Sequence, residues 1–252
     1  MVLKERCTIF ISDLHIDADK PEITRQFIQF IQDLEASQGK LDALYILGDW
    51  FESWVGDDDP DSDKREAIAA VKSLSNAGTD CYFMAGNRDF MIGEQFASDS
   101  GCEILEDPTT IGLYGKKIVL MHGDTLCTDD IQYQEFRSMS RNPAWQQQVL
   151  SLPLEQRIAM AAQIREQSKI DTGNKSNDIM DVNKKAVLQA FAEHDTDIII
   201  HGHTHRPAIH QFAKDTSDEP EFLTRIVLGD WYEQGSVLIW RKKDYELKTL
   251  AR

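Results

Sequence analysis

The sequence predicts one α/β domain that carries a helical insertion. Over the first half of the chain, short apolar runs alternate with stretches whose apolar residues recur at helical spacing, which is typical of a parallel sheet covered by helices. Between about 130 and 194 the strand pattern stops and four helical stretches follow one another. Four more strand-like runs close the chain, with turn signals that favour antiparallel pairing. A length of 252 residues therefore fits one domain over 1–252, with an insertion at about 130–194.

Each predicted element of the first half is bounded by a residue that breaks it. The first predicted helix begins at Pro21, whose missing N–H is not needed in the first turn, and it stops at Gly39. Gly78 stops the second helix in the same way. The acidic loop that starts at Gly56 is interpreted as a solvated turn, because it lacks the glutamate of a calcium loop. The predicted strands are 7–12, 41–47, 80–84 and 116–121, and the predicted helices are 21–38 and 64–77.

The insertion is predicted to be helical and mildly basic. From Ile131 to Lys175 it has six basic and four acidic side chains, in a chain whose net charge is −16. Its apolar stripes are typical of a packed core, but they would also suit a lid over a site that takes an anionic substrate with an apolar part. The predicted helices are 130–140, 143–151, 154–168 and 177–193, and the strands predicted after them are 208–213, 222–228, 236–241 and 245–250.

Composition excludes several classes of protein. The net charge of −16 argues against nucleic acid as the main partner, because nucleic-acid binding usually needs a basic surface. No apolar run reaches about 18 residues, so no transmembrane helix is predicted, and the first residues lack a signal-peptide pattern. The four cysteines are scattered, without a Cys-x-x-Cys pair, which favours reduced thiols in the cytoplasm.

Polar side chains with metal-binding chemistry follow five predicted strands, namely the four of the first half and a buried apolar run at 198–200. Each of them alone could be a helix cap or a hydrogen-bonded histidine, but the repetition favours one shared site, since strand ends of α/β sheets meet at one edge. Seven nitrogen and oxygen donors without a thiolate suit Mn²⁺, Fe²⁺ or Zn²⁺. They are too many for one ion and suit two, with the Asp49 carboxylate as the bridge. The candidate ligands are Asp13, His15, Asp49, Asn87, His122, His201 and His203.

The ordered blocks Asp-x-His, Gly-Asp, Gly-Asn, His and Gly-His-x-His resemble the signature of the calcineurin-like metallophosphoesterases. The resemblance implies a four-layer α/β/β/α sandwich with an inserted helical lid, and a centre of two metal ions. It implies that one ion is held by Asp13, His15, Asp49 and His203. The other ion would be held by Asp49, Asn87, His122 and His201.

Two positions depart from the superfamily pattern. Glu52 stands where the superfamily usually has Asp, and Arg88 stands where it usually has the histidine that acts as general acid. An arginine cannot donate that proton, because its pKa is above roughly 12, but it can clamp phosphate oxygens. The expected leaving group is therefore one that departs without a proton, such as a phosphate, which indicates cleavage of a pyrophosphate bond. The expected catalytic residues are Asp49, Asn87, Arg88 and His122.

Longer motifs resemble one branch of the superfamily, the UDP-2,3-diacylglucosamine diphosphatases of Gram-negative lipid A biosynthesis. These motifs lie at 44–58, 86–90, 121–130, 179–183 and 201–207. The resemblance implies hydrolysis of UDP-2,3-diacylglucosamine to 2,3-diacylglucosamine 1-phosphate and UMP, by water attack at the α-phosphorus with two Mn²⁺ ions. It also implies a cytoplasmic enzyme that associates peripherally with the inner membrane. The implied substrate contacts are Asn87, Arg88, Asp130, Ser168, Thr172, Lys175 and His203.

Two other interpretations remain open at this point. The first is another dinuclear metallophosphoesterase, acting on a soluble nucleotide pyrophosphate; the apolar insertion and Arg88 speak against it. The second is a scaffold that has lost its metals, which the intact set of candidate ligands disfavours. Substrate preference separates the first from the lipid enzyme, and Mn²⁺ binding by the apoprotein separates the second.

Overall fold

The computed structural model describes residues 3–37, 40–174, 181–214 and 221–252. It confirms the α/β class and the order of layers that the sequence predicts. Within these ranges eleven strands form two sheets: β1 Cys7–Ile11, β2 Leu41–Leu47, β3 Asp80–Met84, β4 Cys102–Leu105, β5 Thr109–Leu113, β6 Lys116–Met121, β7 Ile198–His201, β8 Ala208–Ala213, β9 Phe222–Val227, β10 Gly235–Trp240 and β11 Tyr245–Leu250. The helices are α1 Pro21–Glu35, α2 Ser62–Asn76, α3 Glu94–Ser100, α4 Ile131–Ser140, α5 Pro143–Leu150, α6 Leu154–Asn174 and α7 Lys184–Glu193.

The two sheets bring the carboxyl ends of their parallel strands to one edge. The first sheet has the order β11-β10-β1-β2-β3-β4, and the second has the order β5-β6-β7-β9-β8. Strands β1 to β4 are parallel in the first sheet, and β6, β7 and β9 are parallel in the second. In the second sheet Met121 pairs with His201, and His201 pairs with Val227. The loops after β1, β2, β3, β6 and β7 therefore meet at the same end of the sandwich.

Antiparallel pairing of the last four strands is confirmed only within two pairs. Strand β8 is antiparallel to β9, and β10 is antiparallel to β11. Strand β9, however, runs parallel to β7, and β10 leaves for the other sheet, where it lies antiparallel to β1. The physical reason is that β10 is buried throughout and β9 is buried over its last four residues, so the backbone N–H and C=O groups of both strands need partner strands on both sides.

Three apolar clusters separate the four layers. Between the sheets, Phe10, Leu120 and Ile200 belong to one cluster. On the outer face of the first sheet, α1, α2 and α3 bury their apolar stripes against the strands and against Trp50 and Trp231. On the outer face of the second sheet, α7 buries Val187 and Phe191 against Val119 and Ile199. Burial of these stripes is the main favourable contribution to the sandwich.

The predicted insertion, 130–194, contains the helices α4 to α7, and only some of these helices lie beside the site. Because α7 packs on the second sheet, it belongs to the outer helical layer, and the remaining segment is α4 to α6. Helix α6 contacts the rest of the domain through two arginines. Arg157 Nη1 donates to Val55 O at 2.6 Å and to Asp58 Oδ1 at 2.7 Å, and Arg165 Nη1 lies 3.1 Å from Asp17 Oδ2.

Three short elements have no counterpart in the sequence prediction: α3, β4 and β5. Strand β4 has only four residues and β5 alternates between partly buried and exposed residues, and both lie at sheet edges, so neither forms a long buried apolar run that would mark it as a strand. Among the described helices none is both long and apolar enough to cross a bilayer. The four cysteines are all buried.

Candidate metal centre and active site

Five loops at the carboxyl ends of the strands converge on one cluster of carboxylates and imidazoles. Their backbones are joined directly: Asp13 N donates to Gly48 O at 3.0 Å, and His15 N donates to Asp49 O at 3.0 Å. The Arg88 N–H donates to Asp49 Oδ1 at 2.8 Å, which connects the loop after β3. The cluster is therefore built on loops that position one another.

The backbone at these loops is strained. Seven non-glycine residues of the described chain have positive φ, and five of them lie in this cluster. Such conformations persist only where the surrounding structure enforces them, and they concentrate at functional sites. The five residues, with their φ values, are Asp13 (54°), His15 (51°), Asp49 (51°), His203 (66°) and His205 (54°).

On one side of Asp49, the ligand atoms of Asp13, His15 and His205 lie within 4.8 Å of one another. His15 Nδ1 lies 2.9 Å from Glu52 Oε2, so it carries the proton and the lone pair of Nε2 faces the cluster. His15 Nε2 is 3.2 Å from His205 Nε2 and 3.7 Å from Asp49 Oδ2. His205 Nδ1 faces a carboxylate as well, 3.5 Å from Asp230 Oδ2. Two lone pairs that face each other among carboxylates need a proton or a metal cation between them.

On the other side of Asp49, Asn87, His122 and His203 form a second group. His122 Nδ1 donates to Leu47 O at 3.0 Å, which turns Nε2 toward Asn87 Oδ1 at 3.0 Å and Asp49 Oδ1 at 3.8 Å. His203 Nδ1 lies 2.8 Å from the same Asn87 oxygen. These are again acceptor atoms that converge. Oxygen and imidazole donors of this kind fit a divalent cation such as Mn²⁺, Fe²⁺ or Zn²⁺.

The electrostatics of the two groups favour positive charge. Burial by itself would lower the pKa of His122, but the charges of Asp49 and Asp124 outweigh it and raise that pKa to about 9. Burial also opposes the charged form of His205, yet its hydrogen bond to Asp13 raises its pKa. Burial would raise the pKa of Asp13, but His205 holds it well below its usual range. Burial and the charge of His122 lower the pKa of His203 to about 4, so each group attracts one proton, and the same negative potential attracts a cation.

The predicted ligand His201 lies apart from both groups of donors in the structure. His201 is the last residue of β7 and is fully buried, with Nδ1 2.8 Å from Gly202 O and Nε2 3.3 Å from Arg225 Nη1. Both ring nitrogens therefore face other partners. Burial and the neighbouring Arg225 lower the pKa of His201 to about 3, which keeps its ring neutral. His205 lies in the cluster instead, and His203 lies with Asn87 and His122 rather than with Asp13 and His15.

Two further carboxylates orient these ligands. Burial would raise the pKa of Glu52, but its hydrogen bond to His15 lowers that pKa to about 2, so the carboxylate stays ionised beside the imidazole. Asp89 accepts hydrogen bonds from the backbone N–H groups of Asp49, Trp50, Phe51 and Gly86, at 2.7 to 3.3 Å. These bonds join the loops after β2 and β3. Glu52, the departure from the superfamily pattern, thus has an orienting position.

A buried polar network fastens α4 to the end of β6. Asp124 accepts a hydrogen bond from Arg137 Nε at 2.8 Å and another from the Tyr133 hydroxyl. Arg137 Nη2 also lies 3.2 Å from Asp107 Oδ2, and Asp107 Oδ1 accepts from the His122 N–H at 3.2 Å. The loop that carries His122 is therefore connected to the helical insertion.

Two adjoining spaces open from the cluster. A polar cavity of about 460 Å³ lies directly over it, and His15, Asp49 and His203 line its floor. An apolar groove of about 60 Å³ runs on between the core and the helices α5 and α6. The residues shared by both spaces are Asn87, Arg88 and Ile164. The apolar side chains of the groove are Trp54, Val55, Phe90, Met91, Trp145, Val149, Met160, Ala161 and Ile164.

Most of the predicted substrate contacts line the polar cavity. These residues are Asn87, Arg88, Asp130, Ser168 and His203. Thr172 lies on α6, but its side chain is outside the part of the chain that the structure describes, and Lys175 lies outside the described residues altogether. Arg88 Nε is buried and has no hydrogen-bond partner among the described residues, which leaves a donor for an anionic ligand.

Sequence reasoning missed three residues of the site. The motif itself indicates His205, because Gly202-His203-Thr204-His205 is the Gly-His-x-His block. For Asp230 the available signal was Gly229-Asp230-Trp231, which repeats Gly48-Asp49-Trp50. Tyr232 stacks its ring on His15 with the centroids 5.1 Å apart, and no sequence signal indicated this contact.

Comparison with known proteins agrees with this geometry. The family model of the calcineurin-like phosphoesterases matches residues 8–207. A Yersinia pseudotuberculosis serotype O:1b protein named UDP-2,3-diacylglucosamine hydrolase is 49% identical over 244 residues, covering 96% of this chain and 98% of its own. A Stenotrophomonas maltophilia protein of the same name is 51% identical over 253 residues, covering 97% of this chain and 99% of its own. Matched over most of its length and carrying a carboxylate–imidazole cluster at its strand ends, the chain belongs to the calcineurin-like phosphoesterase family.

Proposed function

We propose that the protein hydrolyses the pyrophosphate bond of UDP-2,3-diacylglucosamine and releases 2,3-diacylglucosamine 1-phosphate and UMP. One observation carries the proposal: a polar cavity over the carboxylate–imidazole cluster continues directly into an apolar groove, through Asn87, Arg88 and Ile164. A substrate with a pyrophosphate next to acyl chains needs this juxtaposition. Relatives that are 49% and 51% identical carry the name of this activity.

The proposed cofactors are two Mn²⁺ ions. Asp49 lies between the two groups of donors, with one carboxylate oxygen toward each, and is the proposed bridge. Two such ions supply Lewis acidity toward phosphate oxygens and toward water. Asp13, His15, Asp49 and His205 would hold one ion, and Asn87, His122 and His203 would join Asp49 at the other.

Arg88 would bind the phosphate oxygens at the junction of cavity and groove. Its guanidinium lies 4.0 Å from Glu52 Oε1, and the Nε donor is free for an anion as far as the described residues go. It stabilises charge but donates no proton to the leaving group. With attack at the α-phosphorus, the leaving group is the 1-phosphate of the acylated sugar. A phosphate departs without protonation, so the residue and the reaction match.

The apolar groove would take the acyl chains. Burial of each CH₂ group contributes about 0.8 kcal/mol, so a long chain can supply much of the binding free energy. The groove of about 60 Å³ holds only a few water molecules. We therefore expect α5 or α6 to move outward when the chains enter, which displaces a helix rather than the sheets.

We further propose that the helical insertion contacts the inner membrane from the cytoplasmic side. Nine large apolar residues of the described chain are prominently exposed, and five of them lie on α4 to α6. Ile131 is the most exposed, at 67%. Such side chains beside the groove would let an acylated substrate pass from the lipid without crossing much water. The five residues are Ile131, Met139, Leu150, Ile158 and Ile170. Reduced sedimentation of an Ile131→Ser/Ile158→Ser variant with anionic vesicles would support this contact, and unchanged sedimentation would contradict it.

The test of the proposed activity is hydrolysis of purified UDP-2,3-diacylglucosamine with and without Mn²⁺. UDP-N-acetylglucosamine is the matched control, because it has the nucleotide and the pyrophosphate but no long acyl chain. Mn²⁺-dependent release of UMP from the acylated substrate alone is the expected result. Equal cleavage of both substrates would instead indicate an enzyme of soluble nucleotide pyrophosphates. No cleavage of either by metal-loaded protein would overturn the proposed substrate class.

A further inference from the structure

We propose that His201, held by Arg225, is a positioning residue that locks the loop carrying His203 and His205 against the loop carrying His122. The inference rests on the two-ion centre proposed above and does not depend on the identity of the substrate. His201 lies outside the two groups of candidate metal ligands. Its contacts give it a different part in the same centre.

The hydrogen bonds around His201 fix its ring in one orientation. Arg225 Nη1 lies 3.3 Å from His201 Nε2, and a guanidinium can only donate, so Nε2 accepts. The ring proton therefore resides on Nδ1, which donates to Gly202 O at 2.8 Å. The result is a chain of bonds that runs from a strand of the second sheet to the peptide that begins the Gly-His-x-His loop.

The ring also contacts the loop after β6. A Cβ atom on Gly123 would lie only 2.6 Å from His201 Nδ1, and Gly123 has a φ of 116°, so the backbone of this loop approaches the imidazole closely. The Gly202 N–H, for its part, donates to His122 O at 2.9 Å. The loop that carries His122 and the loop that carries His203 thus meet at the His201 ring.

A shift of the backbone at Gly202 would also move the proposed metal ligands. A Cβ atom on Gly202 would overlap the Asp13 carboxylate and the Ser12 hydroxyl. One residue later, the His203 N–H donates to Asp13 Oδ2 at 2.9 Å. His201 holds the carbonyl of Gly202 and His122 O holds its N–H, so the peptides on both sides of Gly202 are fixed. Rotation of either peptide would displace His203 and His205 relative to Asp13.

This role accounts for a buried arginine on β9. Arg225 is 7% exposed, and its Nε has no hydrogen-bond partner within the described ranges. Burial of a guanidinium with unsatisfied donors is unfavourable, so an apolar residue would stabilise this position better if packing were the only requirement. The bond to His201 Nε2 is the feature that an apolar residue could not supply.

The test compares metal binding by the full-length protein after removal of its metals. His201→Phe keeps an aromatic ring but removes both hydrogen bonds, and Arg225→Met keeps the aliphatic stem but removes the donor. His201→Asn retains a donor that can reach Gly202 O. His194→Asn, at the end of α7, is the remote control, and His205→Ala is the reference for a lost ligand. Calorimetric titration with Mn²⁺ gives stoichiometry and affinity, and electron paramagnetic resonance reports the coupling of a manganese pair.

We expect His201→Phe and Arg225→Met to keep two sites, bind Mn²⁺ about 10- to 100-fold more weakly, and lose or broaden the coupled-pair signal. His201→Asn should recover part of the affinity, and His194→Asn should match wild type. Loss of one site in His201→Phe, as in His205→Ala, would overturn the proposal by making His201 a ligand. Unchanged affinity and signal would overturn it as well. If His201→Phe does not fold, the same comparison is made with His201→Asn and Arg225→Lys. Because no substrate is added, failure of the proposed hydrolysis would not alter this result.

Discussion

The two walls of the cavity are built in opposite ways. The strand-end wall is buried: Asp13 and His122 are 0% exposed and Asp49 is 2% exposed. Its loops hydrogen-bond to one another and hold strained backbone conformations. The helical wall, α4 to α6, is half exposed and carries large apolar residues in contact with solvent, among them Ile131 and Ile158.

The difference separates two requirements of the reaction. Metal ligands have to stay within a fraction of an ångström of one geometry, and loops that are tied to two sheets can do this. A wall that admits and releases a long substrate has to move, and segments with few buried contacts open at low free energy. We therefore assign chemistry to the strand-end wall and substrate length to the helical wall.

Removal of the bridge should have the largest effect. Asp49→Ala takes away the carboxylate that lies between the two donor groups, so we expect turnover with Mn²⁺ to fall on the order of 10³-fold or more, given several kcal/mol of transition-state stabilisation from a two-ion site. Metal content, measured by mass spectrometry, should fall to one ion or fewer. A variant that kept near wild-type turnover would rule out a centre bridged by Asp49.

Loss of the phosphate clamp should come next. Arg88→Ala is expected to lower kcat about 10²- to 10³-fold, as removal of one donor to a developing negative charge typically does. Two metal ions should remain bound, since Arg88 offers them no ligand atom. Arg6→Ala, an exposed arginine on another part of the surface, is the control. Concurrent loss of metal and activity would contradict the clamp and indicate a structural role.

An intermediate effect is expected on the orientation of His15. Glu52→Ala should weaken binding of one of the two ions about 10- to 100-fold, because outer carboxylates fix the ring that binds the metal. Glu52→Gln can still accept from His15 Nδ1 and should lose less. Burial opposes ionisation of Glu52, but His15 lowers its pKa to about 2, so the effect should not vary between pH 5 and 9. Equal affinity of both variants and wild type, measured by calorimetry, would show that Glu52 does not orient the ligand.

On the helical wall, loss of apolar surface should change binding rather than chemistry. Ile164→Ala removes three carbon atoms at the entrance of the groove, so KM for the diacylated substrate should rise up to about tenfold with little change in kcat. Cleavage of an acyl-free substrate should be unaffected. Leu188→Ala on α7, which is also apolar and exposed, is the matched control. A fall in kcat for both substrates would show that the two walls do not divide the work in this way.

The smallest effect is expected at the ion pair between Asp58 and Arg157, which joins α6 to the rest of the domain. Asp58→Asn weakens the bond to Arg157, so hydrogen exchange of the α6 amides should become faster. The increase should correspond to less than about 1 kcal/mol in the free energy of local opening, because Asp58 is exposed to solvent. The Arg157 hydrogen bond lowers the pKa of Asp58, so the contribution is present above the unfolded pKa of about 4 and is lost as pH falls through the lower folded value. Wild-type exchange should therefore approach that of the variant only in acid. Identical exchange at pH 7 would mean that the other contacts of Arg157 hold the helix.

The sequence predicts the strand-end wall well because its signals are local. An apolar strand followed by glycine and a polar residue marks a turn, and the strand bounds 41–47, 80–84 and 116–121 agree with the structure. Whether His201 or His205 faces the site depends on the backbone conformation, which the local sequence pattern does not show. Spacing alone does not show that the left-handed backbone at His203 and His205 turns these two rings inward, while His201 remains in the strand.

The helical wall is less predictable for a related reason. An apolar stripe shows that a helix packs against something but not what it packs against. The stripe of α7 covers the second sheet, whereas Ile164 of α6 faces the groove, and the sequence assigned both helices to one insertion. Asp230 was missed because Gly-Asp-Trp is a short pattern, and only the three-dimensional position of the loop after β9 brings Asp230 to 3.5 Å from His205.

The left-handed backbone of five proposed ligands has a consequence for which variants this fold tolerates. Asp and His are among the few residue types enriched in that conformation, so metal binding and the backbone conformation favour the same few residue types. A replacement by a β-branched or bulky apolar residue loses the donor and adds conformational strain at the same position. Replacement by glycine would relieve the strain and make the protein more stable, but the protein could no longer hold its ions. At these five positions, selection for thermal endurance and selection for catalysis would therefore choose different sequences.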